Sequence, residues 1–151
     1  MISGTEIREA VLSDLNDLLL LEQVAFEAER FSRRQIRYLI TKARADCLVA
    51  ETDGKISAYA IVLKKRRTSC LRLYSIAVLR EFRGRGIARL LLEEAEKRAV
   101  RYGLNYLTLE VSAKNNAAID LYLRAGFGAA GEKSNYYKNG SKALLLKKKV
   151  R

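Results

Sequence analysis

At Gly86 the apolar residues of this chain change period. Residues 71–78 read as a strand, whereas Ile87, Leu91, Ala95, Arg98 and Tyr102 recur every three or four residues, the spacing of one helical face. Gly103 stops that helix in the C′ position. A strand that runs through a glycine turn into a long helix needs a sheet for the helix to pack on, which points to an α/β (α+β type) domain. The turn is Arg83-Gly84-Arg85-Gly86-Ile87-Ala88. Small residues at 84, 86 and 88 let the backbone approach a ligand, and the first helical turn offers unpaired N–H groups and the positive end of a dipole. Arg83, Arg85 and Arg89 add charge at the same place, so the turn suits a pyrophosphate; an ordinary strand-to-helix turn is the other reading. A Walker loop would need Lys-Ser/Thr where Ile87-Ala88 stand, and a dinucleotide fingerprint needs a third glycine and an acidic ribose ligand.

The chain has no proline, so glycine and Asx residues supply the punctuation. Residues 6–10 form a short strand. Ser13 or Asp14 caps a helix carrying Leu15, Leu18, Leu19 and Glu22, and Ser32 caps a second with Ile36, Leu39, Ile40 and Ala43 on one stripe. Strands at 47–51 and 56–63 meet at Asp53-Gly54, a strong hairpin signal. Residues 106–111 alternate, with Leu107, Leu109 and Val111 on one face and Thr108 and Glu110 on the other. A short helix covers 116–125 and ends at Gly126. Strands at 130–137 and 143–148 meet across Asn139-Gly140. The order βααβββαβαββ predicts a mixed, twisted sheet of about seven strands flanked by four helices, in one domain over residues 1–151.

Composition narrows the chemistry. With 49% hydrophobic and 30% charged residues the chain is globular, and it carries neither a membrane-length apolar run nor a signal-peptide pattern, so a cytoplasmic protein is expected. It contains no histidine, which excludes an imidazole base, a histidine triad and a histidine-ligated metal. Cys47 and Cys70 read as small hydrophobes in strands, and two thiols alone make a poor metal site. Lys plus Arg number 29 against 17 Asp plus Glu, a formal charge of +12 that favours anionic partners: a nucleotide cofactor, RNA or a ribosome surface. The runs Lys64-Lys65-Arg66-Arg67 and Lys147-Lys148-Lys149 have a solvated strand end as their default explanation.

Ser75-Ile76-Ala77-Val78 followed by Arg83-x-x-Gly86-x-Ala88 resembles the acetyl-CoA signature of the GNAT superfamily. The likeness continues through Leu109-Glu110-Val111, Asn115, Ala118-Ile119, Leu121-Tyr122, Gly126-Phe127 and Asn135-Tyr136-Tyr137, in the manner of ribosomal-protein-alanine N-acetyltransferases. It implies a GNAT-like domain that transfers acetyl from acetyl-CoA directly to a primary amine, with no metal. Backbone groups of Ile76, Ala77 and Val78 would line the acetyl and pantetheine arm. The stretch Arg83, Gly84, Arg85, Gly86, Ile87, Ala88 and Arg89 would hold the pyrophosphate, and Asn115 the pantetheine chain. Glu110 would be the general base and Tyr122 the general acid. Tyr136 and Tyr137 match a peptide-binding wall, which implies a protein N-terminus as acceptor and a ribosomal partner. Lys142 departs from the family, which commonly has an acidic residue nearby.

On their own merits, Glu110 is either a solvent-facing strand glutamate or a half-buried base whose pKa burial would raise, and Tyr122 either a packed helix aromatic or a donor to a departing thiolate. Glu22, Glu27 and Glu29 form an acidic cluster near the first interhelical loop, suited to attract a cationic amine or simply solvated. The competing functions are acetylation of a small-molecule amine or polyamine, a non-catalytic basic RNA- or ribosome-binding module, and a GNAT-shaped acetyl-CoA sensor without turnover.

Overall fold

The computed structural model describes residues 4–25, 32–41, 44–64, 67–137 and 140–151. Among them run β1 (Thr5–Glu9), α1 (Leu15–Ala25), α2 (Arg33–Thr41), β2 (Ala45–Thr52), β3 (Lys55–Lys64), β4 (Cys70–Val78), α3 (Ile87–Arg101), β5 (Tyr106–Ser112), α4 (Asn116–Arg124), β6 (Gly128–Lys133) and β7 (Ala143–Lys149). Single 3₁₀ turns, Leu12–Asp14 and Arg80–Phe82, lead into α1 and toward α3. The order is the one the periodicity predicts. Ala43, Lys65, Arg66, Glu27, Glu29 and Asn139 lie outside the described residues.

Local chemistry sets most boundaries. At the start of α2, the Ser32 hydroxyl accepts the Gln35 N–H at 3.2 Å and the Gln35 side chain accepts the Ser32 N–H at 2.8 Å, a capping box. Asp53 and Gly54 both take positive φ, 52° and 80°, as a tight β2–β3 hairpin requires. Beyond α3, Gly103 (φ 73°) lets the Leu104 N–H reach the Ala99 carbonyl at 2.9 Å, the Schellman closure.

Two local expectations are corrected. Asp14 does not cap α1. It is buried in the preceding turn, where its carboxylate accepts the Val11 N–H at 2.7 Å and pairs with Arg8 of β1 at 2.8 Å, the partner a buried charge needs. The strand expected at 130–137 is β6, which begins at Gly128 and ends at Lys133. Asn135 adopts φ 49°, leaving the extended region, and Tyr136 and Tyr137 ride in the following loop. That loop is closed by the Gly140 N–H to the Tyr137 carbonyl at 2.9 Å and the Tyr137 N–H to the Ser141 carbonyl at 3.2 Å.

All seven strands join one sheet in the order β1-β2-β3-β4-β5-β7-β6. Every neighbouring pair is antiparallel except β4–β5, which is parallel and is connected through α3. One face packs on α3 and α4 through Leu48, Leu71, Leu107, Leu109, Val111, Ile87, Leu91 and Tyr122; the other packs on α1 and α2 through Val49, Tyr59, Ile61, Leu18, Leu21 and Ile36. Cys47 is a buried free thiol on the α1/α2 side, and Cys70 is a half-buried one at the start of β4. Arg98, read as part of the apolar stripe of α3, is instead a shielded ion-pair hub. It bonds Glu9 at 2.7 Å and Asp46 at 3.1 Å, and the Tyr102 hydroxyl also binds Asp46, so α3 is tied to β1 and β2. Among the described residues no helix is long and apolar enough to cross a membrane.

Candidate active site

The parallel pair is short. β4 and β5 are in register only from Cys70↔Tyr106 to Leu73↔Leu109. A bulge at Tyr74 follows, because Ile61 pairs with Ser75 while the next residue, Val62, pairs with Leu73. β4 then continues to Val78 against β3, and β5 continues to Ser112 against β7, so the two strands part. Their facing edges, residues 74–78 and 110–112, leave backbone donors and acceptors without a strand partner, which a ligand in the gap can satisfy. Ile76, Ala77 and Val78 lie on that edge, half-buried or buried.

At the end of this edge the chain turns through Gly84 (φ 77°) and Gly86 (φ 81°) into α3. Gly86 is the N-cap, and no side chain caps the helix. The first-turn N–H groups of Ile87, Ala88 and Arg89 therefore point out of the helix start unpaired by helical bonds. A Cβ at Gly84 would meet nothing within 4 Å, so the turn is open, with room for an anion against the helix start. The arginines are not all free around it. Arg83 Nε donates to the Val78 carbonyl at 3.1 Å, Arg85 stacks over the Phe82 ring at 5.1 Å, and Arg89 bridges α3 to the Arg124 carbonyl at 3.4 Å. Asn115 caps α4, its side-chain oxygen accepting the Ala118 N–H at 3.1 Å, which leaves its amide nitrogen and the oxygen's second lone pair open to a ligand.

Glu110 is the first β5 residue beyond the parallel register, and its side chain is 7% exposed. It shares the α1/α2 side of the sheet with Arg72, and the partners around it were not foreseen. Arg72 Nη2 lies 3.2 Å from Oε2 and Lys133 Nζ 3.3 Å from Oε1. The Tyr136 hydroxyl stands beside the pair and accepts from Arg72 at 3.1 Å. The expected raised pKa is corrected: burial does push it up, but the Tyr136 hydroxyl, Arg72 and Lys133 together hold it below the usual carboxylate value. The alternation in Leu71-Arg72-Leu73 could have placed Arg72 on this face; nothing local could have placed Lys133.

Tyr122 packs from α4 on the opposite face, 6% exposed, edge-on to Phe127 at 5.8 Å between centroids. Burial, with Tyr137 nearby, pushes its pKa up to about 12. Tyr137 in turn packs edge-on against Tyr136 at 5.0 Å, so the β6–β7 loop links the surroundings of Tyr122 to those of Glu110. Lys142 pairs with Glu132 at 3.3 Å, and Glu132 stands across from Leu144 on the face opposite Glu110. Glu22 is buried on α1 rather than solvated.

A splayed parallel pair, a glycine turn into an uncapped helix and a carboxylate at the parting of the strands define an acyl-transfer scaffold. The chain belongs to the acetyltransferase (GNAT) family, whose sequence profile matches residues 12–127. It is 38% identical over 109 residues to the [ribosomal protein bS18]-alanine N-acetyltransferase of Salmonella typhimurium, covering 71% of this chain and 66% of that one. It is 32% identical over 122 residues to the N-alpha-acetyltransferase MAK3 of Arabidopsis thaliana, covering 80% of this chain and 64% of that one, so it spans part of the length of both relatives. The crystal structure of the ribosomal-protein-S18-alanine N-acetyltransferase from Escherichia coli superposes with a TM-score of 0.85 at 29% identity, covering 97% and 94% of the two chains.

Proposed function

We propose that this acetyltransferase uses acetyl-CoA to acetylate the α-amine of a protein N-terminus, of the ribosomal-protein type that its relatives' names indicate. The observation that carries the acceptor is the pair of cations on Glu110. One carboxylate between Arg72 and Lys133 leaves a local surplus of positive charge. That surplus opposes a bound ammonium and favours the neutral amine, which is the nucleophile. An α-amine, with an ordinary pKa of about 7.7–8.0, loses its proton there near neutral pH; a lysine side chain at about 10.4 is far harder to deprotonate. A polyamine would bring further positive charge to a positive site, so the small-molecule alternative is disfavoured.

Acetyl-CoA supplies the thioester. The amides at Gly84 to Arg89 and the start of α3 suit its pyrophosphate, the free edge of Ile76, Ala77 and Val78 suits the pantetheine arm, and Asn115 is assigned to bond that arm through its amide nitrogen. Glu110, ionised by its partners, takes the proton that the amine gives up, directly or through water. Tyr122, neutral at every physiological pH, hydrogen-bonds the sulfur that departs. The test is purified protein with acetyl-CoA, offered peptides with a free α-amine, the same peptides blocked there but carrying lysine, and a polyamine. Acetylation of the α-amine peptides is expected, with Glu110→Gln slower by about 10²-fold, the lower end of the usual range because this base is a weak one. Acetylation of the polyamine alone would overturn the reading.

A further inference from the structure

The two basic runs of the sequence, one at the end of β3 and one at the end of β7, are brought to the same end of the sheet. The Lys64 N–H reaches the Arg44 carbonyl at 3.1 Å, the Asn105 N–H the Ser69 carbonyl at 2.8 Å, and the Val150 N–H the Asn105 carbonyl at 2.8 Å. Arg44, Lys64, Arg67, Lys147, Lys149 and Arg151 all stand exposed there. The strand order sets four spacings between β2 and β7, so the row is about 19 Å wide. None of these six cations is in an ion pair among the described residues. Asp46, near Arg44 in β2, is already held by Arg98 and the Tyr102 hydroxyl. Alternation sorts the β7 run: Lys148 turns to α3 and pairs with Glu96, whereas Lys147 and Lys149 take the other face. That face is covered by α1 and α2 only over β2, β3 and β4. Tyr106 shares the uncovered part, half-exposed, with Lys147 Nζ 4.1 Å from its ring centroid.

We propose that this end of the molecule binds single-stranded RNA, with phosphates along the row of cations and an unpaired base against Tyr106. The inference is independent of which amine is acetylated. Cations without carboxylate partners supply the attraction to phosphate, and an accessible aromatic ring is a platform on which an unpaired base stacks. The exposed Ser69 and Asn105 stand between the cations and suit ribose hydroxyls and phosphate oxygens. A membrane surface would need aliphatic side chains interleaved with the charges, and an acidic peptide would leave the ring unused. Tyr106 and Glu110 are four residues apart on β5, about 13 Å, so RNA on this end leaves the acetyl site open.

The test is fluorescence anisotropy of a labelled oligouridine of about ten nucleotides, titrated between about 50 and 200 mM salt. With about five phosphate contacts, log K should fall against log salt with a slope of about −3.5. Lys147→Glu with Lys149→Glu, and separately Arg44→Glu with Lys64→Glu, should each weaken binding by about tenfold or more and flatten the slope by about 1.4. Tyr106→Leu should weaken it by about tenfold and Tyr106→Phe should leave it unchanged, with melting temperature as the check on folding. Lys55→Glu with Lys142→Glu makes the same change in net charge at the opposite ends of β3 and β7, and should stay within about twofold of wild type. Several results would overturn the proposal: equal weakening by that control, affinity unmoved in both charge-reversed pairs, or equal binding of a duplex or of the deoxy oligomer. Displacement of the RNA by polyglutamate as readily as by unlabelled RNA would overturn it as well.

Discussion

Tyr122 is a phenol in an apolar cluster, and its burial decides which chemistry is open to it. With its pKa pushed up to about 12, full proton transfer to a thiolate of pKa about 8.5 is uphill by about 5 kcal/mol. On the reading proposed above, the hydroxyl stabilises the departing sulfur by hydrogen bonding rather than by full proton transfer. Tyr122→Phe is expected to reduce turnover while melting temperature and acetyl-CoA affinity stay near wild type. Tyr122→Ala should in addition destabilise the fold by about 3–5 kcal/mol, because it empties a site packed against Phe127. A fully active Phe variant would make Tyr122 a packing residue only. The α4 spacing alone could not separate these roles, since a core tyrosine and a functional one occupy the same helical stripe.

At the scale of the element, the start of α3 is the feature most legible in the sequence, because a glycine turn and a change of period act within a few residues. Gly84 at φ 77° has open space where a side chain would stand, so Gly84→Ala adds backbone strain without a clash, roughly 1 kcal/mol. Its methyl would instead occupy the room open to an anion, and calorimetry should show CoA binding weakened tenfold or more. Gly54 offers the control: it has φ 80° and equally open space, but lies in the β2–β3 turn. Gly54→Ala should carry a similar stability cost and leave CoA affinity unchanged. Equal CoA affinity in both variants would remove the turn from the cofactor site.

Across the whole molecule, two carboxylates link stability to pH. Arg8 and the Val11 N–H hold Asp14 below its ordinary value of 3.8 against the opposing effect of burial. Glu110 is held below 4.5, as described above. A depressed pKa means that the folded state binds its proton less readily than the unfolded chain. The stabilisation is therefore fully present above those ordinary values and is lost as pH falls through the lower, folded-state ones. Melting temperature is expected to hold level from neutral pH to about pH 5 and to drop below about pH 4. Asp14→Asn should start lower at neutral pH and fall less steeply in acid; an unchanged acid profile would show that the Arg8–Asp14 pair contributes no linkage.

What the sequence by itself determined is the order of elements, the glycine junction at α3, the alternation of β5 and the capping of α2, each specified by residues within a turn or two of one another. Tertiary structure alone decided the electrostatics of the site. Lys133 and Glu110 are 23 residues apart in the chain. Their meeting depends on a strand order that sets β7 between β5 and β6, and on the bulge at Ala130. Since strand side chains alternate, a slip of one residue exchanges a glutamate for a lysine beside Glu110. Periodicity shows that a strand has two faces; only the pairing of distant strands decides which neighbour each face receives.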